Sequence, residues 1–354
     1  MKVLFIAPYP ANEAPSQRYR LEQYLSLLDA AGIPYEYHSF IDKKAWVFFF
    51  KPGHIAGKIK ALFFGFIRRW LLMFRIGKFD FVFIHREAAP LGPPLFEWII
   101  ARLFRKRIIY DFDDAIWIPA VSQHNRMALR FKWFSKVAAI CRMATTVTTG
   151  NEYLADFARK HSRDVRVIPT VVNTEATAGK QQEHQTDHPA IGWTGTLTTL
   201  KFLDIVLPVL QRLQEKTDFT FVVIANSDPH LPLRKYRFIQ WKAASEADDL
   251  LQFHIGLMPL HDGELEKGKC GFKAIQYMSL GIPALVSPVG VNTQIVTDGL
   301  TGYTCVTEQD WEDKILRLLQ DSSLRQQLGQ AARMRVEEHY SVKATWPQFL
   351  SLFQ

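Results

Sequence analysis

The sequence predicts an α/β protein of two doubly wound, Rossmann-like domains in series, and three observations carry that prediction. Strand-like apolar runs alternate with helical ones along most of the chain, the pattern of parallel sheets covered by helices on both faces. The 354 residues exceed one ordinary core, and a hydrophobic content of 48% is ample for two. The stretch "TVVNTEATAGKQQEHQTDHP" breaks the alternation, is polar, lacks a hydrophobic period and reads as a linker. The expected domains are therefore 1–172 and 190–338, joined by a linker at 173–189. A C-terminal helix, 339–354, is expected to pack back toward the first domain.

In chain order, "KVLFIAPY" opens as a strand, a helix is predicted over about 16–31, and "YEYHSF" follows as a strand. "FDFVFIH", "RIIYDFD", "TTVTTG" and "VRVIPTVV" complete the first set. The second set runs "AIGWTG", a helix at about 200–215, "TFVVIA", a helical "EADDLLQF", "IGLMPL", a helix carrying Lys273, and "PALVS". Helices at about 311–320 and 323–339 precede a final amphipathic stretch over 343–353. Ligands of such sheets bind outside the carboxyl ends of strands, where loops lead into helix N-termini.

Several classes are excluded. Cys141, Cys270 and Cys305 are too widely spaced for a disulfide framework or a zinc site, which fits a reducing cytoplasm. The N-terminus is apolar too briefly for a signal peptide, and no uncharged apolar run reaches 18 residues. The first loop, "PYPANEAPSQRYR", lacks the glycines of a dinucleotide-binding turn, which tells against a nicotinamide enzyme.

Charge is uneven. The chain carries +8, yet residues 43–107 hold 14 Lys/Arg against Asp80, Glu87 and Glu97, a local +11. Within that region Ile55, Ile59, Leu62, Phe63, Phe66, Ile67, Trp70, Leu71 and Phe74 recur at helical spacing, flanked by Lys58, Lys60, Arg68, Arg69 and Arg75. One reading is a helix lying on an anionic membrane with aromatic anchors. The other is a core-packed helix whose basic residues are its solvated side. Nucleic acid is not expected, since no recognition motif accompanies the charge.

"KGKCGFKAIQYMSLGIPALVSPVG" brings Lys267, Lys269 and Lys273 to the entrance of an otherwise apolar helix, with Gly271 at the turn. A helix N-terminus offers unpaired N–H groups and partial positive charge, so lysines there suit phosphate. "GWTGTLTTLKFL" repeats the arrangement, with a turn at Gly195, hydroxyls at Thr194, Thr196, Thr198 and Thr199, and Lys201. Two cationic entrances in one domain suit a diphosphate; taken singly, each is equally an ordinary turn with a surface lysine.

"GFKAIQYMSLGIPALVSPVGVNTQIVTDGLTGY", with "IGWTGTLTTLKFL", "FHIGLMPL" and "VIPTVVNTE" in order, resembles the donor-binding region of family 4 glycosyltransferases. These are retaining enzymes of the GT-B architecture. The resemblance implies a nucleotide-sugar donor, a glycan or lipid-linked acceptor, cell-surface polysaccharide or glycoconjugate synthesis, and no metal cofactor. It places Gly195, Thr196, Lys201, Trp241, Lys269, Gly271, Phe272, Lys273 and Gln276 at the donor. The chain departs from the family's glutamate pair: Gln276 fills the second slot and the first falls near Gly268. A carboxylate toward the donor sugar would have to come from Glu266, Glu264 or Asp262. Thr196 stands where the family commonly has arginine.

In the first domain "YDFDDAIW" delivers Asp111, Asp113 and Asp114 to the end of a strand, where one of them could serve as general base. Three close carboxylates would also suit a divalent ion; the resemblance argues against it. The alternative is structural, with Asp113 capping a turn and Asp111 paired with an arginine. His85 ends another strand and is a second candidate base. Arg18, Arg20 and Arg86 are candidate acceptor or phosphate contacts, with Ser16 as the cap that turns Arg18 and Arg20 toward the ligand side. The expectation is a glycosyltransferase on the cytoplasmic face of a membrane. The alternatives are an epimerase or hydrolase of the same fold, or a non-catalytic nucleotide-sugar-binding protein at the membrane.

Overall fold

Apolar runs without a polar break become strands buried on both faces, and here they assemble two parallel sheets. The computed structural model describes residues 1–51, 53–119, 133–196 and 198–354. The chain divides into Met1–Thr170 with Thr345–Gln354, and Val171–Ala344.

The first unit contains β1 (Val3–Ala7), β2 (Tyr35–Ser39), β3 (Phe81–His85), β4 (Arg107–Phe112), β5 (Thr146–Thr149) and β6 (Val165–Val167). All pair in parallel, in the order β2-β1-β3-β4-β5-β6. The order reverses between β1 and β3, so their carboxyl ends form the switch point. The helix predicted over 16–31 is broken into Pro15–Arg18, a 3₁₀ turn at Glu22–Tyr24, and Leu25–Ala30. The cause is local. Buried Gln17 donates to the carbonyls of Tyr9 and Pro10 at 2.9 Å each, stapling the helix start to the preceding loop. Ser16 does not cap it; the first turn starts at Pro15 after Ala14, with no side-chain cap.

The C-terminal residues pack within this first unit. Phe349 stacks on Tyr24 with centroids 4.0 Å apart, and Phe353 lies edge-on to Phe5 and Phe81. The polar stretch at 173–189 behaves differently from a free linker, because it straps onto the second unit. Gln182 N–H donates to Leu280 O at 2.9 Å, buried His184 places Nε2 2.8 Å from Gly281 O, and Arg325 donates to His184 O at 2.7 Å.

The second unit contains β7 (Ala190–Gly195), β8 (Thr220–Ala225), β9 (Tyr236–Gln240), β10 (Ile255–Met258), β11 (Ala284–Val286) and β12 (Gly302–Thr304). The order is β12-β11-β10-β7-β8-β9, again all parallel, with the switch point between β7 and β10. The sequence pattern did not indicate the two edge strands, β9 and β12. β12 is three residues opening on a glycine, and β9 sits behind a proline and charged run. Glycines inside strands mark close packing. A Cβ at Gly192 would fall 2.0 Å from the Phe253 ring, and one at Gly256 2.3 Å from the Tyr277 ring.

The basic stretch folds as a helix over Ile55–Met73. Its inward positions are Ala61, Gly65, Arg69, Leu72 and Met73. Gly65 sits so close to Phe40 that a Cβ would approach the ring to 2.4 Å. Arg69, expected among the solvated basic residues, is instead interior at 1% exposure. Its guanidinium donates to the carbonyls of Ala88, His38 and Ala7, and burial lowers its pKa to about 9. Replacing Gly65 by alanine should therefore cost about 1–3 kcal/mol in urea unfolding through overpacking. The same change at Gly77, which has open space around it, should be neutral or slightly stabilising. Equal effects at the two positions would refute the close approach.

Candidate active site

The loops after β7 and β10, the two strands at the second unit's switch point, hold most of the expected donor residues. β7 ends at Gly195, where a Cβ would come within 2.4 Å of the Trp193 ring and 2.6 Å of Thr199 Oγ1. The loop then ties itself. Thr196 N–H donates to Thr199 Oγ1 at 3.1 Å, Thr199 Oγ1 donates back to Thr196 O at 3.0 Å, and the Thr196 and Thr198 hydroxyls meet at 2.8 Å. Tyr277 clamps the two strand ends together: its Oη accepts from Thr194 N–H at 3.0 Å and donates to Leu257 O at 3.3 Å.

Gly271, at φ +63, precedes the helix Phe272–Ser279 and lies against Ile295, where a Cβ would meet Cδ1 at 2.0 Å. Only glycine fits that combination of left-handed backbone and close approach. In the first turn of the helix, Lys273 is partly buried with Nζ 4.4 Å from the Trp193 ring centroid and 3.4 Å from Thr199 Oγ1. Burial, reinforced by the charge of Lys269, lowers its pKa to about 7. No carboxylate among the described residues offsets that shift. Lys201 behaves differently. It is exposed, and its Nζ lies 3.3 Å from Oε1 of buried Glu266. Asp262 and Glu264 both lie 3.5 Å from Lys267.

The structure thus brings Gly195, Thr196, Lys273, Lys269, Gly271 and Phe272 to one end of one sheet, with Gln276 buried a turn further along the helix. Trp241 lies at the same edge of the sheet but further along it. It follows β9, two strands from β7, and its Nε1 donates to Glu246 at 3.0 Å. Trp193 and Tyr277 were absent from the expected set. The available signals were the glycines at 195 and 256, which announce the Trp193 and Tyr277 rings pressed against the strands.

In the first unit the expected catalytic and anion-binding residues are largely paired with one another. Asp111 is 1% exposed and Arg20 3%. Arg20 forms a two-pronged ion pair with the Asp111 carboxylate and also donates to Ile168 O. His85 Nδ1 lies 2.8 Å from Asp111 Oδ2, and Thr148 Oγ1 donates to Oδ1 at 2.7 Å. Burial pushes the Asp111 carboxyl up, but Arg20 and His85 outweigh it and hold the group well below the usual carboxylate range. Asp111, Arg20 and His85 are therefore an interior network rather than surface groups awaiting substrate. His85 Nε2 is buried with no partner.

Arg86 follows at φ +60 and donates to Asp113 Oδ1 from Nε at 2.9 Å and Nη2 at 2.7 Å. That pairing with Asp113 more than offsets the desolvation of Arg86 and raises its pKa. Asp113 pairs with Arg86, while Asp114 accepts from the N–H of Ala115 at 3.0 Å. Both aspartates stay partly exposed. Arg18 stays partly exposed, its guanidinium over the Tyr19 ring at 4.9 Å.

Two doubly wound units of six parallel strands each define the GT-B class. The fold is shared, over nearly the whole length of both chains, with sucrose-phosphate synthase from Thermosynechococcus elongatus: 16% identity, 100% of this chain and 98% of that one, TM-score 0.69. Starch Synthase IV from Arabidopsis thaliana, bound to ADP and acarbose, matches at 12% identity, 100% and 98% coverage and TM-score 0.68. Anabaena Alr3699/HepE in complex with UDP-glucose matches at 13% identity, 99% and 98% coverage and TM-score 0.65. No curated protein is similar to the chain in sequence. Residues 175–335, nearly the whole second unit, match the family described as Glycosyl transferases group 1, and with the shared fold this match supports a glycosyltransferase.

The interior network makes a stability prediction. Asp111→Asn, which leaves Arg20 buried without its counter-charge, should cost about 3–5 kcal/mol in chemical denaturation. Asp114→Asn should change stability by less than about 0.5 kcal/mol. A neutral Asp111→Asn would return Asp111 to the list of groups free to act on a substrate.

Proposed function

We propose that the protein is a retaining glycosyltransferase that moves a sugar from a nucleoside-diphosphate sugar to a hydroxyl of a glycan or lipid-linked acceptor. The observation that carries this reading is Lys273, a partly buried amine at a helix N-terminus and sheet switch point whose charge no described carboxylate answers. A diphosphate supplies the missing charge. In the reaction the bond from the anomeric carbon to the diphosphate oxygen breaks and a bond to the acceptor oxygen forms on the same face of the sugar. Negative charge grows on the departing diphosphate, where Lys273, Lys269 and the N–H groups following Gly271 would stabilise it electrostatically. In this reading those groups take the part a divalent ion plays elsewhere. Gln276 would bond a ribose hydroxyl. Asp113 and Asp114, the partly exposed carboxylates of their loop, are better placed than Asp111 to handle the acceptor proton.

The same reading sets the reaction in cell-surface polysaccharide or glycoconjugate synthesis, with the acceptor met at the cytoplasmic face of a membrane. No helix among the described residues is long and apolar enough to cross one. Uridine and adenosine diphosphates are the first nucleotides to try, because Alr3699/HepE and Starch Synthase IV were observed with UDP-glucose and ADP.

Thermal-shift measurements across nucleoside diphosphates and their sugars should give a stabilising hit that Lys273→Ala abolishes. No hit with any nucleotide would remove the reading's main support. With a hit in hand, pH gives a sharper test. An amine whose pKa is about 7 in the free protein must take up a proton to meet the diphosphate. The dissociation constant should therefore rise by up to roughly tenfold per pH unit above 7. Lys273→Arg, always charged, should flatten that slope. The anomeric configuration of the product, read by NMR coupling, tests retention.

A further inference from the structure

We propose that an anionic lipid bilayer docks on the outer side of the Ile55–Met73 helix and of the short helices beside it. The proposal rests on the reading that the acceptor is met at a membrane, and it names the surface that would do so. The helix is built the wrong way round for a core-packed element. Its inward positions are mostly small or polar, Ala61, Gly65 and Arg69, joined by Leu72 and Met73 near its end. Leu62, Phe66 and Ile67 are half-buried, but most of its large apolar residues face out: Ile55 is 72% exposed, Ile59 62%, Phe63 62%, Leu71 60%, Trp70 47%, and Phe74, just past its end, 85%. Two contacts fix this rotation. Gly65 lies against the Phe40 ring, where no side chain fits, and Arg69 is held by three backbone carbonyls. Turning the aromatic side inward would break both.

The neighbouring helices extend the face. Val47 and Phe50 are exposed at and just beyond the end of the Lys43–Phe49 helix. Trp70 packs edge-on to Phe96 at 5.3 Å, which brings exposed Leu95 and Trp98 of the Leu95–Trp98 helix alongside. Charge then selects the occupant. Residues 43–79 contain nine Lys/Arg and no Asp or Glu. Arg68 and Arg75 pair with Asp42 and Glu36 from outside that segment. Lys43, Lys44, Lys51, Lys60 and Lys78 are exposed, with no ion pair among the described residues. A second copy of this face would set like charge against like, which is unfavourable. A bilayer with anionic headgroups meets both demands at once, taking the aromatic side chains at its interface and the lysines at its phosphates. In this proposal the helix lies in the membrane plane, its exposed apolar side chains entering the interface.

Flotation with vesicles tests this on the full chain. The protein should float with 1:1 phosphatidylcholine/phosphatidylglycerol vesicles, should stay behind with pure phosphatidylcholine, and should be released by 0.5 M salt. Replacing Lys43, Lys44 and Lys51 with glutamine should weaken binding to the anionic vesicles roughly 100-fold, at about 1 kcal/mol per lysine. Phe63→Ser with Trp70→Ser should abolish flotation while leaving thermal unfolding, and any nucleotide-induced shift, as in the parent. Failure to float with anionic vesicles, or equal binding to neutral ones, overturns the proposal. So does a dimer in solution that the Phe63/Trp70 variant dissociates, since that assigns the face to a second copy. Flotation without any nucleotide shift would sink the donor reading and leave the membrane face standing. A nucleotide shift without flotation would do the reverse.

Discussion

A charge removed from water has to be answered, either by another group of the protein or by something the protein binds. Much of this chain's architecture at the carboxyl ends of its strands follows from that requirement. At the carboxyl ends of β3 and β4 the answer is internal: the Asp111 carboxylate is shared among Arg20, His85 and Thr148. This network reaches from the broken first helix to β5 and, through Ile168, to the segment that follows β6. Ion pairs of this depth rarely add net stability, but breaking one is severe. Asp111 therefore reads as a fixed point that locates the loops around it, with Arg86 and Asp113 forming the partly exposed pair beside it.

Backbone proximity is the second constraint, and glycine provides it at three functional places. Gly192 and Gly256 admit Phe253 and Tyr277 against the strands, and Tyr277 in turn joins the ends of β7 and β10. Gly271 starts the Lys273 helix in a conformation and a space that exclude other residues. Gly65 does the equivalent in the first unit, letting a helix lie flat on Phe40 with its bulky side outward. In each case the missing side chain decides where a neighbouring large one goes.

These two constraints explain what could be read from the residues in order. Period and apolarity marked all six strands of the first sheet and four of the second: most interior strands are apolar runs, while the edge strands β2 and β6 alternate apolar or aromatic residues with polar ones. They missed β9 and β12, edge strands that need little apolarity. The lysine-and-glycine loop at 267–273 was legible because helix entrances carry local signals. Pairing was not. Arg20, in the break after the first helical turn, turns inward to Asp111, 91 residues away, and no spacing rule encodes that. Nor could periodicity tell which side of the Ile55–Met73 helix is buried, since a stripe of Phe and Trp looks the same facing either way. The rotation is decided by Gly65 and Arg69, the residues a hydrophobic pattern discounts.

The energetics at Lys273 separate it from the other lysines of its domain. Moving an amine from its ordinary 10.5 to about 7 corresponds to about 5 kcal/mol against the charged form. The face of Trp193 returns at most about 2 kcal/mol through a cation–π contact, and Thr199 offers one hydroxyl at the long distance of 3.4 Å. A deficit of a few kcal/mol remains in the free protein. Lys201 carries no such deficit, because it is exposed and already beside Glu266. A lysine that is comfortable alone gains little when an anion arrives. One held partly buried without a counter-charge gains back part of its deficit, so the anion's binding is strengthened by what the free site lacks.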